Sequence, residues 1–288
     1  MQLRGKTVII FGGKTGLLGQ SLTKALEKAK ARPVPLSSED CDILDPMAVE
    51  KLFEREKPDL VINAAAYTQV DRAEDEQDKA FALNATAPPL LAALAARHSA
   101  PFVHYSTDFV FKGNKKTPYT EEDPVSSFST YGISKSDGER GLLKLGYAKT
   151  LIIRISWLFG PGRTNFVRKM LDLADTKDTL TVVDDQIGSP SYAPDIATHT
   201  LDLLEKNATG IYHLTNSGET SWHGLASMAV NLAGKECTVT PISTADYPTK
   251  AMRPAYSALD LDKFIKTTGV TPRRWEDALK EYVREILG

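Results

Sequence analysis

Tyr131 and Lys135 stand four positions apart in the run Tyr131-Gly132-Ile133-Ser134-Lys135. On a helix that spacing puts both side chains on one face. A phenol titrates near pKa ~10, and an ammonium beside it favours the phenolate and draws that value toward neutrality. A phenol tuned in this way can exchange a proton with an alcohol or sugar oxygen. The spacing alone arises by chance in most proteins, and a surface helix pair is the plain alternative. Its meaning rests on two upstream segments, the glycine-rich Gly13-Lys14-Thr15-Gly16-Leu17-Leu18-Gly19 and Ser106-Thr107-Asp108.

The glycine segment directly follows a strand-like apolar run, Thr7–Phe11, and opens a helical pattern over residues 16–28. This strand–turn–helix frame is what a dinucleotide fingerprint needs, although the spacing here is GxxGxxG. Glycines let the backbone approach a pyrophosphate, and the helix N-terminus supplies N–H groups and the positive end of its dipole. Gly13-Lys14-Thr15 also resembles the end of a P-loop, but Val8 occupies the position where that motif requires glycine. Gly13, Lys14, Thr15, Gly16, Leu17 and Gly19 are therefore expected to hold a dinucleotide.

The residues after the second strand usually separate NAD from NADP, because a carboxylate there bonds the ribose and repels a 2′-phosphate. Ser37-Ser38 stands at that point, followed by Glu39-Asp40. The two hydroxyls point to NADPH, and the neighbouring acids leave NADH possible. Asn63-Ala64-Ala65-Ala66 ends the third strand. Its small residues leave room for a cofactor across the sheet edge, or serve tight helix–sheet packing.

The elements that must position these groups alternate. Strands are expected at residues 7–11, 33–36, 59–63, 102–106 and 150–156, and helices at 16–28, 45–56, 87–98 and 130–145. Such alternation implies an α/β, Rossmann-type, doubly wound parallel sheet. Beyond Ser156 the rhythm loosens. Helices are expected near 165–174, 194–205, 222–233 and 275–287, with strands near 180–183 and 210–214. We divide the chain into a dinucleotide-binding domain, residues 1–156, and a smaller α/β substrate lobe, residues 157–288, some of whose segments return to the first domain.

Bulk properties bound the partners. The chain has 288 residues and a formal net charge of −2, which gives no support for nucleic-acid or membrane-surface binding. Cys41 and Cys237 lie far apart in no metal or redox spacing, the pattern of inert thiols in a reducing compartment. The chain opens on a strand-like run with no signal-peptide layout, and no apolar run spans a bilayer. A cytoplasmic protein is expected, as a monomer or homodimer. The five histidines show no paired metal-binding spacing, so no metal is expected.

Thr107 closes the fourth strand at the same sheet edge as the glycine segment, where its hydroxyl can meet a substrate carbonyl oxygen beside Tyr131. The expected reaction is a reduction: hydride passes from a reduced nicotinamide to a carbonyl carbon, and Tyr131 protonates the developing alkoxide.

The segments FGGKTGLLG, VINAAAYTQVDRAE, LNATAP, VHYSTDFVFKG, YGISKSDGE, RISWLFG, NFVRKML, DDQIGSPS and MRPAYSALD run through nearly the whole chain. In this set and order the chain resembles the extended short-chain dehydrogenase/reductases and, within them, the dTDP-4-dehydrorhamnose reductase family. GxxGxxG and YxxxK mark only the superfamily; STDFVF, DQxGxP and RPxxSxL are far more specific. The resemblance implies reduction of a 4-keto nucleotide sugar in dTDP-L-rhamnose synthesis. Tyr131 would be the proton donor, Lys135 its assistant and a cofactor ligand, and Thr107 the tuner of the Tyr–substrate hydrogen bond. Lys14, Thr15 and Gly16 would line the pyrophosphate. Ser37, Asp42 and Ile43 would lie toward the adenosine, with Ala64, Ala65, Ala66 and Tyr67 toward the nicotinamide. Thr107, Asp108, Trp157, Asn165, Gln186 and Arg253 would meet the substrate. Ser37 departs from the acid that family members often carry nearby, which bears on NAD preference. Related 4,6-dehydratases carry an Asp-Glu pair after the strand-4 Thr; here Phe109 follows Asp108 and cannot move protons. Another nucleotide-sugar 4-ketoreductase would use the same residues, epimerisation reuses Tyr and Lys, and some relatives are non-catalytic regulatory subunits, so these readings stay beside reduction to rhamnose.

Overall fold

The computed structural model describes residues 1–288. The first half alternates as β1 (Thr7–Phe11), α1 (Leu17–Lys28), β2 (Arg32–Leu36), α2 (Pro46–Glu56) and β3 (Leu60–Asn63). It continues through two short helices, α3 (Val70–Ala73) and α4 (Gln77–Phe81), into α5 (Ala87–Arg97). Then come β4 (Phe102–Thr107), α6 (Thr130–Leu145) and β5 (Thr150–Ile155). The second half holds β6 (Leu158–Phe159), α7 (Phe166–Ala174), β7 (Thr179–Val183), β8 (Ile187–Gly188), β9 (Ser191–Tyr192) and α8 (Ala193–Glu205). It ends with β10 (Gly210–His213), β11 (Thr220–Ser221), α9 (Trp222–Leu232), β12 (Thr238–Ile242), α10 (Asp262–Thr268) and α11 (Trp275–Leu287).

Six strands form one sheet in the order β2-β1-β3-β4-β5-β10, with every neighbouring pair parallel. Alternate residues of a strand face opposite sides. Val8 and Ile10 of β1 accordingly join a core with Leu22 and Leu26 of α1, Ile196 of α8 and Phe264 of α10. Ile9 and Phe11 join a second core with Phe53 of α2, Leu91 of α5 and Leu142 of α6. Helices on both faces are what bury an all-parallel sheet. A third core, around Phe159, Leu171, Tyr192, Leu225 and Leu279, fills the C-terminal lobe. β10 lies at the sheet edge beside β5, so residues beyond 156 complete the central sheet.

Differences from the expected elements have local causes. β2 is Arg-Pro-Val-Pro-Leu and starts one residue early. Its prolines are tolerated because it is an edge strand, where missing N–H donors are harmless. β12, with Pro241 and mostly exposed residues, gives no strand pattern of its own and forms only by pairing with β7. The seven-residue α10 is too short to show periodicity. No helix is long and apolar enough to cross a membrane.

Candidate active site

The strand order turns around between β1 and β3, and ligands bind outside the carboxyl ends of strands at such a point. A cleft of about 790 Å³ opens there. Its wall takes residues from the ends of all five N-terminal strands: Gly12, Ser37, Ala64, Thr107 and Ser156 among them. The α1 N-terminus opens beside it, with Gly16 at the cap, no capping side chain and no acid in the first turn. Its unpaired N–H groups and positive dipole end suit an anion.

The glycines hold the turn shut behind that terminus. Gly12 has φ +78°, and a Cβ placed on Gly19 would stand 2.1 Å from the Gly12 carbonyl oxygen. Gly12 was not among the expected site residues, yet it lines the cleft and the Gly12-Gly13 doublet was its signal. Thr15, Gly16 and Leu17 line the cleft as expected; Gly13 and Gly19 serve the turn from outside its wall. Ser106 Oγ is buried and has no partner, another polar atom facing this region. The cradle, the uncapped helix and this hydroxyl fit a nicotinamide dinucleotide.

Tyr131, Lys135 and Thr107 do converge on the cleft. Helix α6 starts on a Ser129 cap whose hydroxyl accepts the Gly132 N–H at 3.1 Å, which sets Tyr131 and Lys135 in its first two turns. Phe109 packs edge-on against the Tyr131 ring with centroids 5.6 Å apart. The expectation that Lys135 draws the phenol toward neutrality is not met in this arrangement. Burial pushes Tyr131 up to about 12, opposed by the Thr107 hydroxyl and reinforced by the Asp108 charge. Lys135 Nζ instead donates to the Tyr105 carbonyl at 2.5 Å and lies 3.3 Å from His104 Nε2. Burial lowers Lys135 to about 8, against the pull of Glu139.

Asp108 lines the cleft with both carboxylate oxygens already bonded. It is 1% exposed; Oδ1 accepts from the Thr107 hydroxyl at 3.0 Å and Oδ2 from Ser257 at 2.6 Å. Burial raises its carboxyl to about 6, against those hydrogen bonds. The Thr107 hydroxyl thus donates to Asp108, and its oxygen accepts the Phe109 N–H at 3.2 Å. Ser257 belongs to the RPxxSxL segment, which is how that late segment reaches the active site.

At the adenosine end, Asp40 accepts from the Ser37 N–H and hydroxyl, both at 2.7 Å, and from Lys14 at 2.5 Å. These bonds, Lys14 first, hold the Asp40 carboxyl far below its ordinary range. Lys14 is thus tied to Asp40, one of the acids that leave NADH possible, and does not line the cleft. Asp42 and Ile43 line the cleft beside Ser37, as do Ala64, Ala65 and Ala66 beside Thr107. Tyr67 does not line it. Its main chain is held at both ends by Asn84, and its hydroxyl donates to Glu76 at 2.9 Å.

Asn84 sits in a π-helical turn, Ala82–Thr86, and also donates to Ser134 on α6 at 3.1 Å. Such turns often mark functional sites. Asn84 ties the nicotinamide-side loop to the helix that carries Tyr131. Nothing in the periodicity singled it out.

On the substrate side, Trp157 adopts φ +46°, uncommon for a bulky residue. Its ring stacks on Trp222 at 3.6 Å, and both line the cleft. Asn165 lines it as well, but it caps α7 and donates to the Gly160 carbonyl and the Tyr282 hydroxyl. Arg253 reaches the cleft while bound in fork geometry to Asp71, at 3.1 and 2.7 Å. Gln186 is placed elsewhere: it is buried, off the cleft wall, and donates to Thr244 at 3.0 Å.

A family model described as the RmlD substrate binding domain matches residues 6–287. The spore coat polysaccharide biosynthesis protein SpsK of Bacillus subtilis is 40% identical, covering 97% of this chain and 98% of its own. dTDP-4-dehydrorhamnose reductase of Aggregatibacter actinomycetemcomitans is 40% identical, covering 94% and 97%. The crystal structure of dTDP-4-dehydrorhamnose reductase from Bacillus anthracis in complex with NADP superposes with a TM-score of 0.93 at 33% identity, covering 97% of this chain and 99% of that one. The motifs and the full-length matches agree: this chain belongs to the RmlD substrate binding domain family, that of the dTDP-4-dehydrorhamnose reductases.

Proposed function

We propose that this protein reduces the 4-keto group of dTDP-4-dehydro-L-rhamnose to give dTDP-L-rhamnose, using NADPH and accepting NADH. The observation that carries the reading is the meeting of Thr107, Tyr131 and Lys135 at the carboxyl edge of the sheet, next to the uncapped α1 N-terminus. Gly12, Thr15, Gly16 and Leu17 would hold the pyrophosphate, and Ala64–Ala66 with Lys135 the nicotinamide half. Bound there, the cofactor supplies the hydride that the carbonyl carbon accepts.

The chain's own residues manage the proton. Tyr131 holds it at the phenol oxygen and delivers it to the oxygen that becomes the alcohol. A phenol raised to about 12 keeps its proton at neutral pH and is a donor, not a base. As the proton leaves, the Thr107 hydroxyl turns from Asp108 toward the phenolate, and an ammonium at Lys135 stabilises the same charge. The Trp157–Trp222 stack offers a flat apolar wall for a deoxysugar or a base. Arg253 supplies a guanidinium for the substrate diphosphate.

The test mixes purified protein, NADPH and the ketosugar nucleotide. Loss of the reduced-nicotinamide absorbance with stoichiometric appearance of dTDP-L-rhamnose is expected. Product isomerisation without net cofactor use identifies an epimerase instead. A flat trace with tight NADPH binding identifies a regulatory, non-catalytic role.

A further inference from the structure

The hydrogen-bond directions around Lys135 carry a consequence for its charge. β3 and β4 pair so that Asn63 and His104 are register partners. Asn63 Oδ1 accepts the Ala65 N–H at 3.2 Å, which turns its amide NH2 toward His104 Nδ1, also 3.2 Å away. His104 Nδ1 is therefore an acceptor. A neutral imidazole carries one N–H, so that proton sits on Nε2. Nε2 faces Lys135 Nζ at 3.3 Å, and an ammonium has no lone pair with which to accept it. Flipping the Asn63 amide would reverse the chain only by setting two donors, its NH2 and the Ala65 N–H, against each other.

We propose that Asn63 and His104 are positioning residues that favour the neutral amine of Lys135 in the free protein, and that at alkaline pH NADPH binding restores its ammonium with uptake of a proton. The amine accepts from His104 Nε2 and donates to the Tyr105 carbonyl. Ribose hydroxyls of NADPH offer acceptors that favour the ammonium, the form that stabilises a Tyr131 phenolate. The groups facing Lys135 agree. His104 and the Tyr105 carbonyl come from β4, and Glu139 from its own helix. Glu139 is neutralised by a buried fork with Arg154 of β5 at 2.9 and 2.6 Å. Burial disfavours a charge on His104 as well, so the imidazole stays neutral.

The inference rests on the reading that NADPH meets Lys135. Its test is calorimetric titration of the whole protein with NADPH at pH 8.5 in buffers of different ionisation enthalpy, which reads protons exchanged rather than turnover. With Lys135 near 8, uptake of ~0.8 proton per NADPH is expected, falling to ~0.1 at pH 7. Lys135→Met should abolish the uptake. The near-isosteric Asn63→Asp should cut it to less than half, because a carboxylate accepts from Nδ1–H and leaves Nε2 to accept from an ammonium. A purely structural role for Asn63 and His104 would move affinity and leave the proton count alone. Binding heat without buffer dependence in the wild-type protein overturns the inference while leaving the cofactor reading intact. Uptake that survives Lys135→Met, or is unchanged in Asn63→Asp, overturns it too. Absence of any binding heat refutes the cofactor reading and the inference with it.

Discussion

Asp108 is a carboxyl held in the native structure at a cost, and its replacement by Asn should expose that cost. The native carboxyl titrates at about 6 against an ordinary 3.8. Between those values the native state binds more protons than the unfolded chain, so unfolding free energy falls as pH rises across the interval. The total loss is about 3 kcal/mol, at ~1.4 kcal/mol for each tenfold change in the proton equilibrium. It is complete above pH ~6 and absent below ~4. Asn cannot titrate, yet its oxygen still accepts from Thr107, and its NH2 can donate to the Ser257 oxygen. Asp108→Asn should therefore gain stability relative to wild type at pH 7.5. That relative gain should shrink by about 1 kcal/mol on going to pH 5.0, where the wild-type carboxyl is mostly protonated. Urea unfolding at the two pH values measures it. A stability difference that is the same at both, within about 0.3 kcal/mol, refutes the idea that burial raises this group. The variant should also turn over more slowly, because a neutral amide oxygen is a weaker acceptor than a carboxylate and sets the Thr107 hydroxyl less firmly. A gain in stability coupled to a loss of activity is the mark of a group retained for function.

Three further outcomes follow from contacts outside the catalytic set. Gly19→Ala should weaken NADPH binding at least ~5-fold, since its Cβ would press on the Gly12 carbonyl and overpacked methyls cost ~1–3 kcal/mol; direct titration of binding reads it, and an unchanged affinity removes the glycine turn from cofactor binding. Asp40→Asn should shift preference toward NADPH by releasing Lys14 and the Ser37 hydroxyl for a 2′-phosphate, read as the ratio of kcat/KM for the two cofactors. Glu139→Ala should destabilise the fold by ~3–5 kcal/mol in chemical denaturation, because it strands the 2%-exposed Arg154 charge without its partner.

The parts that were legible in the sequence are those with local signals. β1, its glycines and α1 announce themselves through an apolar run, a turn and a 3.6-residue period. Tyr131 and Lys135 fall on α6 because Ser129 caps it. What could not be read depends on contacts distant in sequence. Asn84 matters through Tyr67 and Ser134, 17 and 50 residues away. The bond of Asp108 to Ser257 spans 149 residues and ties this cleft-lining carboxyl to the late segment. Gln186 was expected beside the substrate through its motif, but its amide donates to Thr244, 58 residues away, and it lies off the cleft wall. The reversal at Tyr131 has the same origin: helix spacing brings Lys135 to the correct face, while His104 and the Tyr105 carbonyl decide where its amine rests.

The central claim is that Tyr131 delivers the proton that completes ketone reduction. Its most direct measurement compares wild type with Tyr131→Phe, following NADPH oxidation with dTDP-4-dehydro-L-rhamnose while NADPH affinity is titrated separately. The account predicts a fall in kcat of ~10²–10⁴-fold, the range for losing a general acid, with cofactor affinity essentially kept. A variant that turns over at the wild-type rate would contradict it and remove Tyr131 from the reaction.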